Sequence, residues 1–282
     1  CNIPLKHPVN RAYEAVTAYL NYVNIMYPFL LEVDGETSVN YNRDIEIFPV
    51  LIAIFERIYV KNPYKSPTDM GVNMAGNCIC DDEVCRQASL QEIIRRYYDT
   101  MDRFIMGSCS QDEVRKIEML MSQTGITVHD RPVVDAALER AEATNAPAAA
   151  LELPDGHIVT GKTSSLLGAS AALLLNALKE LAGIDHDCHV ISPSAIEPIQ
   201  KLKVDYLGSK NPRLHTDEVL IALSMCAATD KNAQIALEQL PKLKHCQVHT
   251  SVMLSEVDIK TFKKLGVGLT SEPVYEHNRL YH

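Results

Sequence analysis

The sequence predicts an α+β protein: a mainly helical subdomain over residues 1–145, followed by a layered α/β subdomain over residues 146–282. Three observations predict it. Helical periodicity with capping signals dominates residues 8–145. The composition shifts at Asn145-Ala146-Pro147. Beyond that point strand-like runs alternate with helical ones, beginning with two runs that flank Pro154-Asp155-Gly156.

In the first subdomain, Pro8 suits the first turn of a helix over 8–26, with Ala12, Val16 and Leu20 on one face and Pro28 beyond its end. Residues 29–41 carry a short hairpin signal at Asp34-Gly35. The strongly apolar run 45–60 reads as a buried helix. Residues 61–77, rich in Pro, Gly and Asn, read as a loop entering a short helix at Ser66-Pro67. Residues 81–106 form the clearest long helix, with Asp81 and Asp82 at its N-terminus. Ser110 with Glu113 is a capping-box pattern opening a helix over 110–122, and 132–144 is a third.

In the second subdomain, strands are expected over 148–153 and 157–160, then a Gly/Ala/Ser-rich helix over 164–183 that suits close packing on a sheet. A strand over 188–192 follows, then a helical segment 193–206 interrupted by Pro198. Helices over 216–229, capped by Thr216, and over 232–240 lead to a strand over 247–254. Ser255 caps a last helix to Leu265, ended by Gly266 and Gly268.

Composition excludes several classes of function. Of 282 residues, 46% are hydrophobic and 22% charged, so collagen-like and disordered chains are out. The 27 Lys+Arg against 36 Asp+Glu give a net charge of -9 without a basic stripe, which argues against nucleic acid as a partner. The 8 Cys lie mostly inside helical or strand-like runs and suggest no disulfide framework. Lys6, His7, Arg11 and Glu14 interrupt the N-terminus before any signal-peptide core. The longest apolar stretch, 166–178, is too short to span a bilayer. These features predict a cytoplasmic protein with no membrane partner. The chain opens on Cys1 rather than Met, which predicts a piece of a longer protein.

Three segments could carry chemistry. Residues 156–163, Gly-His-Ile-Val-Thr-Gly-Lys-Thr, satisfy the phosphate-loop pattern, in which backbone N–H groups cradle phosphates and the Lys reaches them. The β-branched Ile158 and Val159 and the Asp155-Gly156 turn favour a hairpin instead. Between these lies a simpler expectation: Lys162, Thr163 and Ser164 at a helix N-terminus binding a phosphate or carboxylate. The second segment is a polar loop cluster of His7, Asn10, Asn40, Asn42, Arg43, Asp44, Lys65, Thr68, Asp69 and Asn73, dense in donors and acceptors at element ends. Its alternative role is helix capping. The third is residues 211–218, where Arg213 and His215 could make an anion contact or an acid–base pair. Cys78, Cys80 and Cys85 lack the spacing of a zinc knuckle, and no metal site is expected.

The runs NIPLKHPVN, VNYNRD, YKSPTDMGVNMAGN, LELPDGHIVTGKTS, LLGASAALLLNALKELAGI and NPRLHTDEVLIALS resemble uncharacterised protein family 0371, a bacterial group without an assigned activity. The resemblance covers nearly the whole chain. It implies a layered αβα subdomain with a topology similar to the cytidine deaminase class, though without that class's zinc ligands. It also implies that the chain is the C-terminal part of a longer protein and lacks a Rossmann-like N-terminal domain, which would be its missing partner. Tyr19, Tyr22, Tyr27 and Leu30 stand where the family pattern implies acidic residues and a His, so a polar cluster is expected to be lost there.

Together these readings predict an enzyme acting on a small anionic or phosphorylated metabolite, as transferase or hydrolase. Lys6, Arg43, Lys65, Lys162 and Arg213 are the expected anion contacts, and His7, Asp44, Asp69 and His215 the acid–base candidates. No cofactor is indicated. The alternatives are a non-catalytic scaffold, with homo-oligomers compatible with the long helices, and a nucleotide binder at residues 156–163.

Overall fold

A computed structural model describes residues 82–276. The chain divides into two units, residues 1–130 and 131–282. In the first, α1 (Asp82–Ile105) and α2 (Gln111–Thr124) pack together. Ile93, Ile94 and Tyr98 are buried on α1, and Val114, Ile117, Leu120 and Met121 on α2. The spacing of the second set is one helical face. Ser110 and Glu113 form the expected capping box, and Gly125 closes α2 in the left-handed conformation at φ 70°.

The second unit is a mixed sheet with helices against both faces. Helix α3 (Pro132–Thr144) leads into β1 (Ala148–Glu152), which turns back as β2 (Ile158–Lys162). Then come α4 (Ala169–Ala182), α5 (Pro193–Lys201), a π-helical turn at Leu202–Tyr206, α6 (Thr216–Cys226) and α7 (Lys231–Leu237). The strand β3 (Gln247–Thr250), α8 (Glu256–Lys264) and β4 (Gly268–Ser271) complete it. The strand order is β2-β1-β3-β4; β1 is antiparallel to both neighbours, and β3 and β4 are parallel.

Alternation along β1 assigns the two faces. Ala150 meets Val133 and Ala137 of α3. Ala149 and Leu151 belong to the main core with Leu173, Leu174 and Leu178 of α4, Leu223 of α6 and Phe262 of α8. The expected small-residue packing is concentrated at Gly161, where an added Cβ would stand 2.2 Å from the backbone nitrogen of Leu173 and 2.5 Å from its Cα. Backbone cannot rotate away as a side chain can. Gly161→Ala is therefore expected to destabilise the protein by about 2–3 kcal/mol. Urea unfolding should show a lower midpoint, and an unchanged midpoint would mean that α4 does not rest on this strand.

Several expectations are corrected. Residues 188–192 form no strand; Val190 and Ile191 reach the core from an irregular segment. The strand β4 was not anticipated. The helix expected from residue 164 starts at Ala169, and the residues before it form a turn. The segment 193–206 is α5 followed by the π-helical turn, and Pro198 sits inside α5 without ending it.

Candidate functional site

Residues 156–163 form the second half of a hairpin, not a phosphate cradle. Leu153 N–H donates to the His157 carbonyl at 2.8 Å, and Gly156 takes φ 85° in the turn. Residues 158–162 are strand β2, so their N–H groups are committed to the ladder or point to alternate sides. Neither are Lys162, Thr163 and Ser164 at a helix N-terminus: residues 164–168 lie between Thr163 and the start of α4 at Ala169. Lys162 is exposed. Thr163 N–H donates to the Pro147 carbonyl, and the Ser164 hydroxyl accepts from Leu166 N–H and Leu167 N–H at 3.2 and 3.0 Å, closing a local turn. That turn pairs by backbone with the third predicted segment: Leu214 N–H donates to the Leu166 carbonyl and Gly168 N–H to the Leu214 carbonyl.

This pairing delivers His215 to the N-terminus of α6, where it is the N-cap at φ -82°, ψ 171°. The expected cap, Thr216, is instead the first helical residue. Its hydroxyl is drawn away from the helix by a carboxylate, that of Asp258 in the first turn of α8. Four donors saturate that carboxylate. Thr216 N–H and Thr216 Oγ1 reach Oδ1, each at 2.9 Å, while Ser255 Oγ at 2.8 Å and His215 Nδ1 at 3.0 Å reach Oδ2.

The consequences are electrostatic. Burial pushes the Asp258 carboxyl up, but the bonds and charge from His215, with those from Thr216 and Ser255, outweigh it and hold it below the ordinary carboxylate range. The hydrogen bond to Asp258 raises His215 above the ordinary imidazole value, against the opposing effect of burial. An ionised carboxylate only accepts, so Nδ1 is the protonated nitrogen. Asp258 is 6% exposed at its side chain and His215 29%. The result is a fixed, partly exposed imidazole whose far nitrogen can exchange a proton. Ser255 stands 3.3 Å from Nδ1, but its hydroxyl donates to Asp258 and accepts the Asp258 N–H as the α8 cap. That geometry makes it a support, not a nucleophile.

Arg213, two residues before His215, pairs its guanidinium with Glu276 at 2.5 Å. Thus, of the predicted site residues described here, the structure brings His215 and Arg213 into one segment and sets the Ser164 turn against it through Leu214. It leaves Lys162 and Thr163 at the end of β2. Lys6, His7, Asn10, Asn40, Asn42, Arg43, Asp44, Lys65, Thr68, Asp69 and Asn73 lie outside the described residues, as do Tyr19, Tyr22, Tyr27, Leu30, Cys78 and Cys80. Asp258 was missed by the sequence reading. Its only local signal is Ser255-x-x-Asp258, a helix-start pattern that says nothing of a histidine 43 residues away.

A second histidine has a different setting. His249, fully buried on β3, has Nδ1 2.9 Å from Thr270 Oγ1 and Nε2 3.1 Å from Glu272 Oε1. Burial lowers it below the ordinary imidazole value despite Glu272. Beside it Arg131, 1% exposed, donates to Thr270 Oγ1, Gln247 Oε1 and the Val248 and Gly268 carbonyls. This cluster ties the start of α3 to the β3–β4 pair and gives no access to a substrate. Among the described residues no group of three or more His, Cys, Asp or Glu is arranged to hold a metal, and no helix is long and apolar enough to cross a membrane.

Comparison with known proteins gives one family. Residues 1–125 match the model for the N-terminal domain of unknown function DUF1846, and residues 129–281 match its C-terminal counterpart. A UPF0371 protein of Corynebacterium urealyticum is 55% identical over 280 residues, covering 99% of this chain and 56% of the relative. A UPF0371 protein of Corynebacterium aurimucosum is 56% identical over 274 residues, covering 97% and 55%. One from Streptococcus pyogenes serotype M5 is 54% identical over 280 residues, covering 99% and 57%. The chain thus spans about half the length of the curated relatives it matches. The expectation of a purely C-terminal piece is corrected, because residues 1–125 match the N-terminal model.

Proposed function

The chain belongs to the DUF1846 family, and on that premise we propose that it serves a cytoplasmic enzyme whose general acid–base group is His215, held by Asp258, acting on a small anionic or phosphorylated metabolite by transfer or hydrolysis. The observation that carries this reading is the saturated Asp258 carboxylate, which holds the imidazole by Nδ1 while the ring stays partly exposed. A carboxylate so bonded orients the ring and stabilises the imidazolium that forms when the ring accepts a proton. The hydrogen bond to Asp258 raises the imidazole pKa and so favours the protonated ring, whose positive N–H attracts an anionic group. Lys6, Arg43, Lys65 and Arg213 remain the proposed anion contacts, with His7, Asp44 and Asp69 as further proton-transfer groups. The deaminase-like αβα layering also remains a proposal, supported by the packing of α3 and α4 against opposite faces of β1.

The scaffold reading lacks a comparable observation, and the nucleotide reading loses its cradle to β2.

The test is a turnover screen of the full chain against phosphomonoesters, sugar phosphates and carboxylic esters, repeated with His215→Gln. A turned-over substrate should lose roughly 10²–10⁴-fold in rate in the variant. Equal turnover by both proteins would remove His215 from the chemistry.

A further inference from the structure

We propose that Lys203 and Glu218 form a positioning clamp that fixes His215 against Asp258, an inference that rests on His215 being the acid–base group. Glu218 Oε2 accepts two donors: the His215 backbone N–H at 2.8 Å and Lys203 Nζ at 2.7 Å. Lys203 Nζ also donates to the Arg213 carbonyl at 2.6 Å. One ammonium therefore holds the chain on both sides of His215, at residues 213 and 218.

This is more than a helix cap. A capping residue needs only the Glu218 carboxylate on the His215 N–H, which is half of a capping box. Glu218 N–H donates to Asp217 Oδ1 at 2.8 Å, and the His215 ring bonds Asp258 through Nδ1 at 3.0 Å. Nothing in helix capping calls for a lysine from another element, least of all one 7% exposed. Burying an ammonium is costly unless it is paired and fully bonded. The local fold goes out of its way to bury this one. Lys203 lies in the π-helical turn Leu202–Tyr206, which keeps it inside while Tyr206 and Leu207 remain 74% and 71% exposed. Single π turns of this kind occur often at functional sites.

The clamp also bears on the proton of His215 from two sides. The charged groups acting on the ring are Asp258 from α8, Lys203 from the π-helical turn and Glu218 from α6. The Glu218 charge favours the protonated ring and the Lys203 charge opposes it. Removing one charge or the other should therefore move the ring's midpoint in opposite directions.

The experiment follows the His215 ring by NMR titration of the full chain, in wild type and in Glu218→Gln, Lys203→Met and Asp258→Asn. The clamp predicts a lower midpoint in Glu218→Gln and a higher one in Lys203→Met, with Lys203→Arg at the wild-type value. It further predicts that the His215 amide exchanges about tenfold or more faster in Glu218→Ala, as expected for loss of a bond to a charged group. If the Glu218 and Lys203 variants leave the midpoint in place while Asp258→Asn lowers it, the clamp is overturned and the acid–base reading stands. If Asp258→Asn does not lower it either, both fail. Should Lys203→Met not fold, Glu218→Gln and Lys203→Arg decide by the same criteria.

Discussion

Asp258→Asn is expected to reduce turnover of any substrate found for this protein by roughly 10²–10⁴-fold, with the fold intact. The substitution is nearly isosteric and the site is largely buried, so packing changes little. The bonding does change. The wild-type carboxylate accepts from four donors: Thr216 N–H, the Thr216 hydroxyl, the Ser255 hydroxyl and His215 Nδ1–H. An amide has one accepting oxygen and one donating nitrogen. If the oxygen serves Thr216, the NH₂ group faces His215 and forces Nδ1 to become an acceptor. The ring then carries its proton on Nε2, the nitrogen that a base must keep free. The substitution also removes the negative charge that stabilises the imidazolium. Circular dichroism should be unchanged while the rate falls. A variant that retains wild-type turnover would show that Asp258 only joins α6 to α8.

The largest stability effect is expected at Arg131. Arg131→Met should cost about 3 kcal/mol or more, read as a lower urea midpoint at unchanged slope. Arg131 is the N-cap of α3, yet its side chain leaves that helix and enters the sheet edge. There it donates to Thr270 Oγ1, Gln247 Oε1 and the carbonyls of Val248 and Gly268. Methionine fills the volume and supplies none of those protons, so buried acceptors lose their partner. Arg131→Lys should recover only part of the loss, since an ammonium lacks the planar fork that reaches several acceptors at once. A midpoint within experimental error of wild type would mean that β4 is held by its ladder and by Phe262 and Val267 alone.

The parts of this structure that were legible in the sequence are those governed by short-range physics. The Pro154-Asp155-Gly156 turn, the Ser110–Glu113 box and the Ser255 cap each depend on residues within a few positions of one another. Helix α3 shows Pro132 at its start and Asn145, at φ 48°, at its end. What escaped depends on distant partners. The run Gly268–Ser271 has little strand character of its own, and becomes β4 because β3 and the Arg131 guanidinium bind its backbone and side chains. Residues 188–192 look like a strand because Val190 and Ile191 are apolar, but burial alone satisfies them without a ladder. Ser164 resembles a helix cap, and the backbone of Leu214 instead holds the following residues in a turn until Gly168.

The candidate site divides in the same way. His215 and Arg213 were visible as a polar pair before a helix. Asp258, Lys203 and Glu218 acquired their roles only when α6, α8 and the π-helical turn came together. The phosphate-loop pattern shows the converse case. Its residues match in order, but Gly161 is glycine because α4 passes over it and Gly156 because the hairpin turn needs a positive φ.

The central claim, that Asp258 holds His215 by Nδ1 and leaves Nε2 available, is tested most directly by the tautomer of the neutral ring. Long-range ¹H–¹⁵N NMR of the full chain, recorded above the His215 midpoint, reports which nitrogen bears the proton. The account predicts the Nδ1–H form in wild type and the Nε2–H form in Asp258→Asn. An Nε2–H ring in the wild-type protein would contradict it.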